Sequence, residues 1–476
     1  MKEAARGKWN KVSNTKISKD KVNGVGKLFK QLFIVVLVAV MTLSITVTAE
    51  ASSNANIRSG SQVAGQQFAE AIQIIMTRYI GSQVTVNQLA GAALRGMTGV
   101  TDVSISTNPY RSSAARGEAQ VAGQQLAYAV ELIMTHHSGS RITINALLEA
   151  GLRGMTDVLD QYSIYLSPAE ISRFYNAMDG RLFGIGVEML AQEDGRVVVG
   201  RVLPNSPASD AGVHAGDVLV YVDREHVVGM TLDAVIARIA NPANPRVHIV
   251  VERGGRSHSF NIVKADIHSP TVIVERFERI PEAQGFGDLS GFRYMNITSI
   301  GLVTSADVER ALNQMQREGV RGIVLDLRGN SGGYLNVTID IARQLVPQGA
   351  ILHSVDGSGR IRTHSSFLRE MPFDNVVVLI DSHTASGAEV LASALQDTGT
   401  TVIGETSFGK GMVQGVYGLR NGGALMLTVE EYFRRTGGRI DGIGVIPNIQ
   451  ESGPQTPGGH DPALRRAVEM LLVGVR

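Results

Sequence analysis

The chain has no cysteine among its 476 residues, one tryptophan, and aromatic side chains at only 5% of positions. The first absence excludes disulfides, a thiolate nucleophile and cysteine-type zinc sites, and says little about compartment. An excess of either charge is missing too: the formal net charge is +1, so no global field argues for nucleic acid, and none is expected as a partner. Glycine is abundant instead, at 53 residues, which suits a turn-rich α/β chain built on small side chains. The length is ample for two or three domains, each with its own core.

The first fifty residues have their own pattern. Lys2 to Lys30 is basic and polar, Leu32 to Val47 is almost wholly apolar, and Ala49-Glu50-Ala51 fits a small-residue cleavage site. Together these predict an export signal. The apolar run approaches the roughly 20 residues of a spanning helix, so it is either cleaved after Ala51 or kept as a membrane anchor. Both outcomes put the remainder outside the cytoplasm, because the basic flank stays inside.

Residues 59–100 and 117–158 are a duplication, with VAGQQFAEAIQIIMTRYIGS echoed 58 residues later by VAGQQLAYAVELIMTHHSGS. Apolar spacing of i, i+3, i+4 predicts two helices per copy. The polar stretch Ser104 to Gly117 reads as a linker. His136 and His137 are adjacent, so on a helix they point about 100° apart, and no metal site is expected.

The most informative stretch is Asn375 to Gln414. Val376 to Ile380 predicts a buried strand, Ala388 to Gln396 a helix, and Thr401 to Ile403 a second strand. Ser386 then sits where a strand feeds a helix, and Lys410 at the end of a following strand, on one edge of a parallel sheet. A serine hydroxyl needs a base beside it, and a lysine driven neutral by burial can be that base. The Gly387 N–H, at a helix N-terminus, would be an oxyanion donor. The same Ser-Gly-Ala-Glu also fits S-x-x-E, a capping box that accounts for Ser386 with no chemistry at all.

TASGAEV, QDTG and GETSFGKGMVQ together resemble the catalytic signature of the carboxy-terminal processing peptidases, or tail-specific proteases, a Ser-Lys serine peptidase family. Carried over by position, the resemblance implies Ser386 as nucleophile, Lys410 as base and Gln414 as the residue holding the lysine. Gly387 and Ala388 depart from the usual Ala and Ser, and the 24-residue Ser-to-Lys separation is one shorter than the family pattern. Arg328-Gly329-Asn330-Ser331-Gly332-Gly333 is similar to the family's L-R-x-N-P-G-G loop, so Gly332 or Gly333 would supply the second oxyanion donor. Asp326 and Arg328 read as a structural pair. Gly180 to about Ala265 resembles a PDZ domain, with Phe183, Gly184, Ile185 and Gly186 as the loop that receives a peptide's terminal carboxylate.

The fold implied is an α+β multidomain chain. It has an α/β catalytic core of crotonase-like, tail-specific protease type, an inserted PDZ domain of β-sandwich-like form, and an N-terminal helical region. The expected divisions are 1–51 signal or anchor, 52–115 first repeat, 116–178 second repeat, 179–266 PDZ domain, 267–450 catalytic domain and 451–476 linker and helix. The implied activity is serine endopeptidase action on protein or peptide substrates with apolar C-termini, without metal or organic cofactor, by a homodimer. The rival is a non-catalytic PDZ adaptor on a degenerate peptidase scaffold. Against it, Ser386, Lys410 and Gln414 all remain where a decayed site would have lost one.

Overall fold

A computed structural model describes residues 49–81, 83–101, 115–137, 141–192, 195–203, 205–241, 244–268, 270–453 and 460–473. The basic and apolar segments before Ala49, and most of the linker between the repeats, lie outside these residues. No helix among the described residues is long and apolar enough to cross a membrane.

The duplication folds as four helices, α1 (Ala49–Arg78), α2 (Val86–Gly99), α3 (Ala115–His136) and α4 (Ile144–Thr156). Thr85 and Thr143 cap α2 and α4 in the same way, each hydroxyl accepting the amide N–H three residues on. The two copies pack against each other about a local pseudo-twofold. A Cβ on Gly65 would strike the Gly123 carbonyl, and one on Gly123 would strike the Gly65 carbonyl. Likewise Gly96 abuts the Ala150 carbonyl while Gly154 abuts that of Ala92. Every matched pair is 58 residues apart, so each copy presents the same face to the other.

The chain continues through β1 (Ile164–Leu166) and α5 (Pro168–Met178) into the segment that resembles a PDZ domain. That domain comprises β2 (Arg181–Gly184), β3 (Val187–Ala191), β4 (Val197–Val202), α6 (Pro207–Ala211), β5 (Val218–Val222), β6 (Glu225–His226), α7 (Leu232–Ile239), β7 (Arg246–Arg253), β8 (Arg256–Val263) and β9 (Ala265–His268). Its main sheet runs β3-β4-β5-β7-β8, leaving β3 as an edge. β2 and β9, where the chain enters and leaves, pair antiparallel with each other.

The remainder builds two further sheets. β10 (Val272–Glu275), β11 (Phe292–Ile297), β12 (Gly322–Asp326), β15 (Asn375–Ile380), β16 (Thr401–Gly404) and β19 (Ile449–Gln450) lie side by side in that order, parallel from β11 onward. Strands buried on both faces explain why β12 and β15 are unbroken apolar runs. One face carries α8 (Thr304–Arg317), α9 (Leu335–Leu345) and α10 (Gly387–Gln396), the other α11 (Pro462–Val473). In the second sheet β18 (Ala424–Arg434) is the spine. β17 (Met412–Gly418) lies along one edge, and β13 (Gly349–Asp356) and β1 share the other, with β14 (Ile361–Ser366) beyond β13. The helical repeats pack on this sheet through Tyr165, Leu419, Leu425 and Leu427. The helix expected over Ala388 to Gln396 is observed as α10, one residue longer at its start.

The pseudo-twofold yields a paired prediction. Gly96→Ala forces a methyl group into the Ala150 carbonyl and should cost about 1–3 kcal/mol. Gly91→Ala in the same helix meets nothing nearer than Arg95 at 3.5 Å and should be stabilising by up to about 1 kcal/mol. Thermal or denaturant melts of the two variants should therefore move in opposite directions.

Candidate active site

β15 ends at Ile380, and a six-residue loop leads to α10. Asp381 shapes this loop, its Oδ1 accepting the N–H groups of Gly329, His383 and Thr384 at 2.9–3.1 Å. Thr384 Oγ1 donates to the Leu327 carbonyl at 3.0 Å and the Ala385 N–H to the Asn330 carbonyl at 2.9 Å, so this loop and the Arg328–Gly333 loop are stitched together.

Ser386 is where the capping-box expectation is tested. Thr85, Thr143, Ser206 and Thr231 are ordinary N-caps, with extended backbone and side chains that accept from the third residue on. Ser386 also closes a capping box with Glu389, as the spacing expects, but from φ 55° and ψ −120°, one of three non-glycine residues with positive φ among those described. Such a conformation costs about 1–3 kcal/mol, and proteins retain it where geometry of a reactive group requires it. It turns the chain sharply from strand to helix and puts Ser386 on a cavity of about 360 Å³.

Glu389 does more than cap. It is fully buried, and its Oε2 accepts the Ser386 N–H and the Lys410 N–H, both at 2.8 Å. Its Oε1 accepts the Ser407 hydroxyl at 2.5 Å and the Gly409 N–H at 2.7 Å. One carboxylate thus binds the serine loop to the lysine loop. The S-x-x-E spacing exposed the first of these contacts; the other three depend on tertiary proximity.

Lys410 lines the same cavity. Burial pushes its ammonium below the ordinary lysine value, with Asp160 and Glu389 opposing the shift. Its Nζ lies 5.2 Å from the centre of the Tyr162 ring, a cation–π contact. Tyr432, fully buried, donates its phenol O–H to the Lys410 carbonyl. Burial raises the Tyr432 phenol well above its ordinary value, with a hydrogen bond to the Ser386 side chain opposing the rise. Neither tyrosine was singled out in the sequence.

Several expected residues fall differently. Gln414 lines the cavity, and its Nε2 is buried with no hydrogen-bond partner among the described residues. The Gly332 N–H donates to Asn330 Oδ1 at 2.8 Å and is therefore not a free donor. The Gly333 and Gly387 N–H groups have no acceptor among the described residues. Gly332 is nonetheless required: a Cβ there would stand 2.7 Å from the Gly387 nitrogen and 2.8 Å from Ser386 Cβ. Gly387 has a reason of its own, because a Cβ would collide with Thr338 Oγ1. His383 is 82% exposed, 3.8 Å from Asp381, and borders a separate cavity that Ser386 does not line. Arg328 pairs with Asp326 at 2.6 Å and with Asp461 at 2.8 Å, joining α11 to the sheet. Arg434 binds Asp397 and Gln396 at the end of α10.

In the PDZ domain the Ile185 side chain is 2% exposed and packs in the domain core, so it is no groove contact. Phe183 is exposed, and Gly186 has φ +82° and packs on Ser206. The Ile185 and Gly186 N–H groups lie outside both flanking ladders and have no acceptor among the described residues. The cavity at Ser386 is walled by Phe174, Tyr175 and Met178 of α5, the helix leading into β2.

The family model for peptidase family S41 matches residues 292–451, and that for a PDZ domain residues 198–253. The chain is 29% identical over 340 residues to the carboxy-terminal processing protease CtpB of Bacillus subtilis, covering 70% of this chain and 69% of that one. It is 30% identical over 336 residues to a carboxy-terminal-processing protease of Bartonella bacilliformis, covering 67% and 73%. The solved photosystem II D1 C-terminal processing protease is 26% identical and aligns over 82% of this chain and 93% of its own, with a TM-score of 0.48.

Two substitutions should separate strain from anchoring. Ser386→Gly relieves the positive φ and should leave the melting temperature at or above that of the parent. Glu389→Gln turns an NH2 group toward backbone donors and should lower it, by about 1–3 kcal/mol for each donor left unpaired. Calorimetry of both variants checks the signs.

Proposed function

The chain belongs to the carboxy-terminal processing proteases, serine endopeptidases of family S41 with a PDZ domain, and we propose that Ser386 and Lys410 form its working dyad. The observation that carries this reading is that Glu389 holds the backbones of both residues at one cavity. Lys410, partly desolvated, takes the proton of the Ser386 hydroxyl as that oxygen attacks a peptide carbonyl. The tetrahedral oxyanion is received by the Gly387 N–H, at the positive end of α10, and by the Gly333 N–H. Collapse, with the lysine passing that proton to the departing amine, releases the C-terminal fragment and leaves an acyl-enzyme; the lysine, neutral again, takes a proton from the water that hydrolyses it. Gln414, on the same cavity, steadies the lysine by offering its amide oxygen to the ammonium.

The PDZ domain supplies substrate choice in this reading. Its edge strand β3 beside α7 accepts an extended peptide by strand addition, and the Ile185 and Gly186 N–H groups face the terminal carboxylate. Substrates are then proteins ending in an apolar tail.

The test uses a disordered protein with an apolar C-terminus and the same protein ending in charged residues. The parent should cleave the first faster. Ser386→Ala and Lys410→Ala should each abolish cleavage with melting temperatures near the parent's, and the double variant should be no worse than either. His383→Ala should keep most activity. A dead His383→Ala beside an active Lys410→Ala would overturn the dyad.

The basic and apolar leader supports action outside the cytoplasm, with residues 1–60 as export signal or anchor. Fused to a reporter active only after export, they should give signal. Silence from a well-expressed fusion would refute the assignment, and the mass of the mature N-terminus tells cleavage from anchoring.

A further inference from the structure

The two helical repeats make matching contacts with each other and different contacts with the catalytic domain. They diverge at the residue that follows the long helix of each copy: Tyr79 in the first, His137 in the second, 58 positions on. The Tyr79 phenol oxygen accepts the N–H of Asp160 at 3.0 Å. The next residue, Ile80, donates its N–H to the Thr428 carbonyl at 3.0 Å. His137, by contrast, has a buried Nε2 with no partner among the described residues.

The Tyr79 contact leads to Lys410, and the Ile80 contact reaches the strand pair that carries Gln414. Asp160 Oδ1 accepts the N–H groups of Tyr162 and Ser163 at 2.9 and 2.8 Å, fixing the turn that carries the Tyr162 ring to the lysine ammonium. The Ser163 hydroxyl accepts the Thr428 N–H at 3.1 Å, and Thr428 faces Gln414 across the β17–β18 ladder. Gly81 lets this happen, since a Cβ there would occupy the place of the Tyr79 hydroxyl.

We propose that the first repeat is a built-in positioning element for the general base, and that Tyr79 is the positioning residue through which it acts. The proposal rests on the Ser386–Lys410 reading. The charged and titratable groups around the lysine are Asp160 and Tyr162 from the turn before β1, Glu389 from α10, Tyr432 from β18, and Asp441, which accepts the Gly411 N–H at 3.2 Å. Of these, Tyr79 controls only the Asp160–Tyr162 turn. Asp160 and the Tyr162 ring both favour the charged ammonium. Releasing the turn withdraws that support, so the lysine loses its proton at lower pH while its position loosens.

The experiment compares the full chain with its Tyr79→Phe variant, which removes one hydroxyl, and with Gly81→Ala, which displaces it. Lys410→Ala is run beside them. Melting temperatures should stay close to the parent's. Hydrogen exchange at the amides of residues 158–163 should quicken in both variants. The acid limb of kcat/KM should move down by about half a pH unit, and kcat should fall roughly tenfold. Tyr79→His, which gives the first repeat the residue of the second, should behave like Tyr79→Phe. A pH profile that overlays the parent's, with Lys410→Ala dead, would overturn the positioning role, as would unchanged exchange. If Lys410→Ala still cleaves, the dyad has failed and the proposal falls with it, whereas the exchange result still reports whether Tyr79 holds the turn.

Discussion

The carboxylate of Glu389 is the constraint on which the site depends. A fully buried charge is tolerated only when its lone pairs are occupied, and here four donors from two loops occupy them. The donors at Ser386 and Lys410 are backbone N–H groups, so the interaction fixes where the chain runs and leaves both side chains free for chemistry. The Ser407 hydroxyl also accepts the Val445 N–H at 2.7 Å, which brings in the segment after β18. Loops that would otherwise move independently become one rigid floor.

That floor lets the chain hold two unfavourable conditions. Ser386 sits in a backbone region that L-residues avoid, and Lys410 sits where burial disfavours its charge. For the lysine the folded value lies below the unfolded one. Between them the unfolded chain binds more protons, so this group weakens the fold below its folded value and ceases to do so as pH rises through that window. Both are local costs of a prepared site, met by the cores on either side of the parallel sheet.

Much of this was legible in the chain. β12 and β15 are continuous apolar runs, and α8 to α11 carry clear helical spacing, so their placement followed from local pattern. Ser386 and Lys410 stood out because each lies beside glycines at the end of an apolar run. What could not be read is what distant segments bring. Tyr162 reaches the lysine from far upstream in the sequence and Tyr432 from 22 residues downstream, and Glu389 finds partners 18 to 21 residues away. Gly387 looked like a weakness of the motif, and the reason for it is Thr338 on another helix. The FGIG segment was read as a ligand loop with no means of telling that Ile185 turns inward.

The β2–β9 ladder has a consequence for how such a chain can diversify. The PDZ domain is entered and left through neighbouring, paired strands, with Arg181 opposite His268 and Gly184 opposite Ala265. The surrounding fold therefore sees the insertion as one two-stranded stalk, whatever lies beyond it. A recombination event that exchanged the whole module for another with adjacent ends would leave the catalytic sheets and their loops untouched. Target preference and bond cleavage can then be inherited separately.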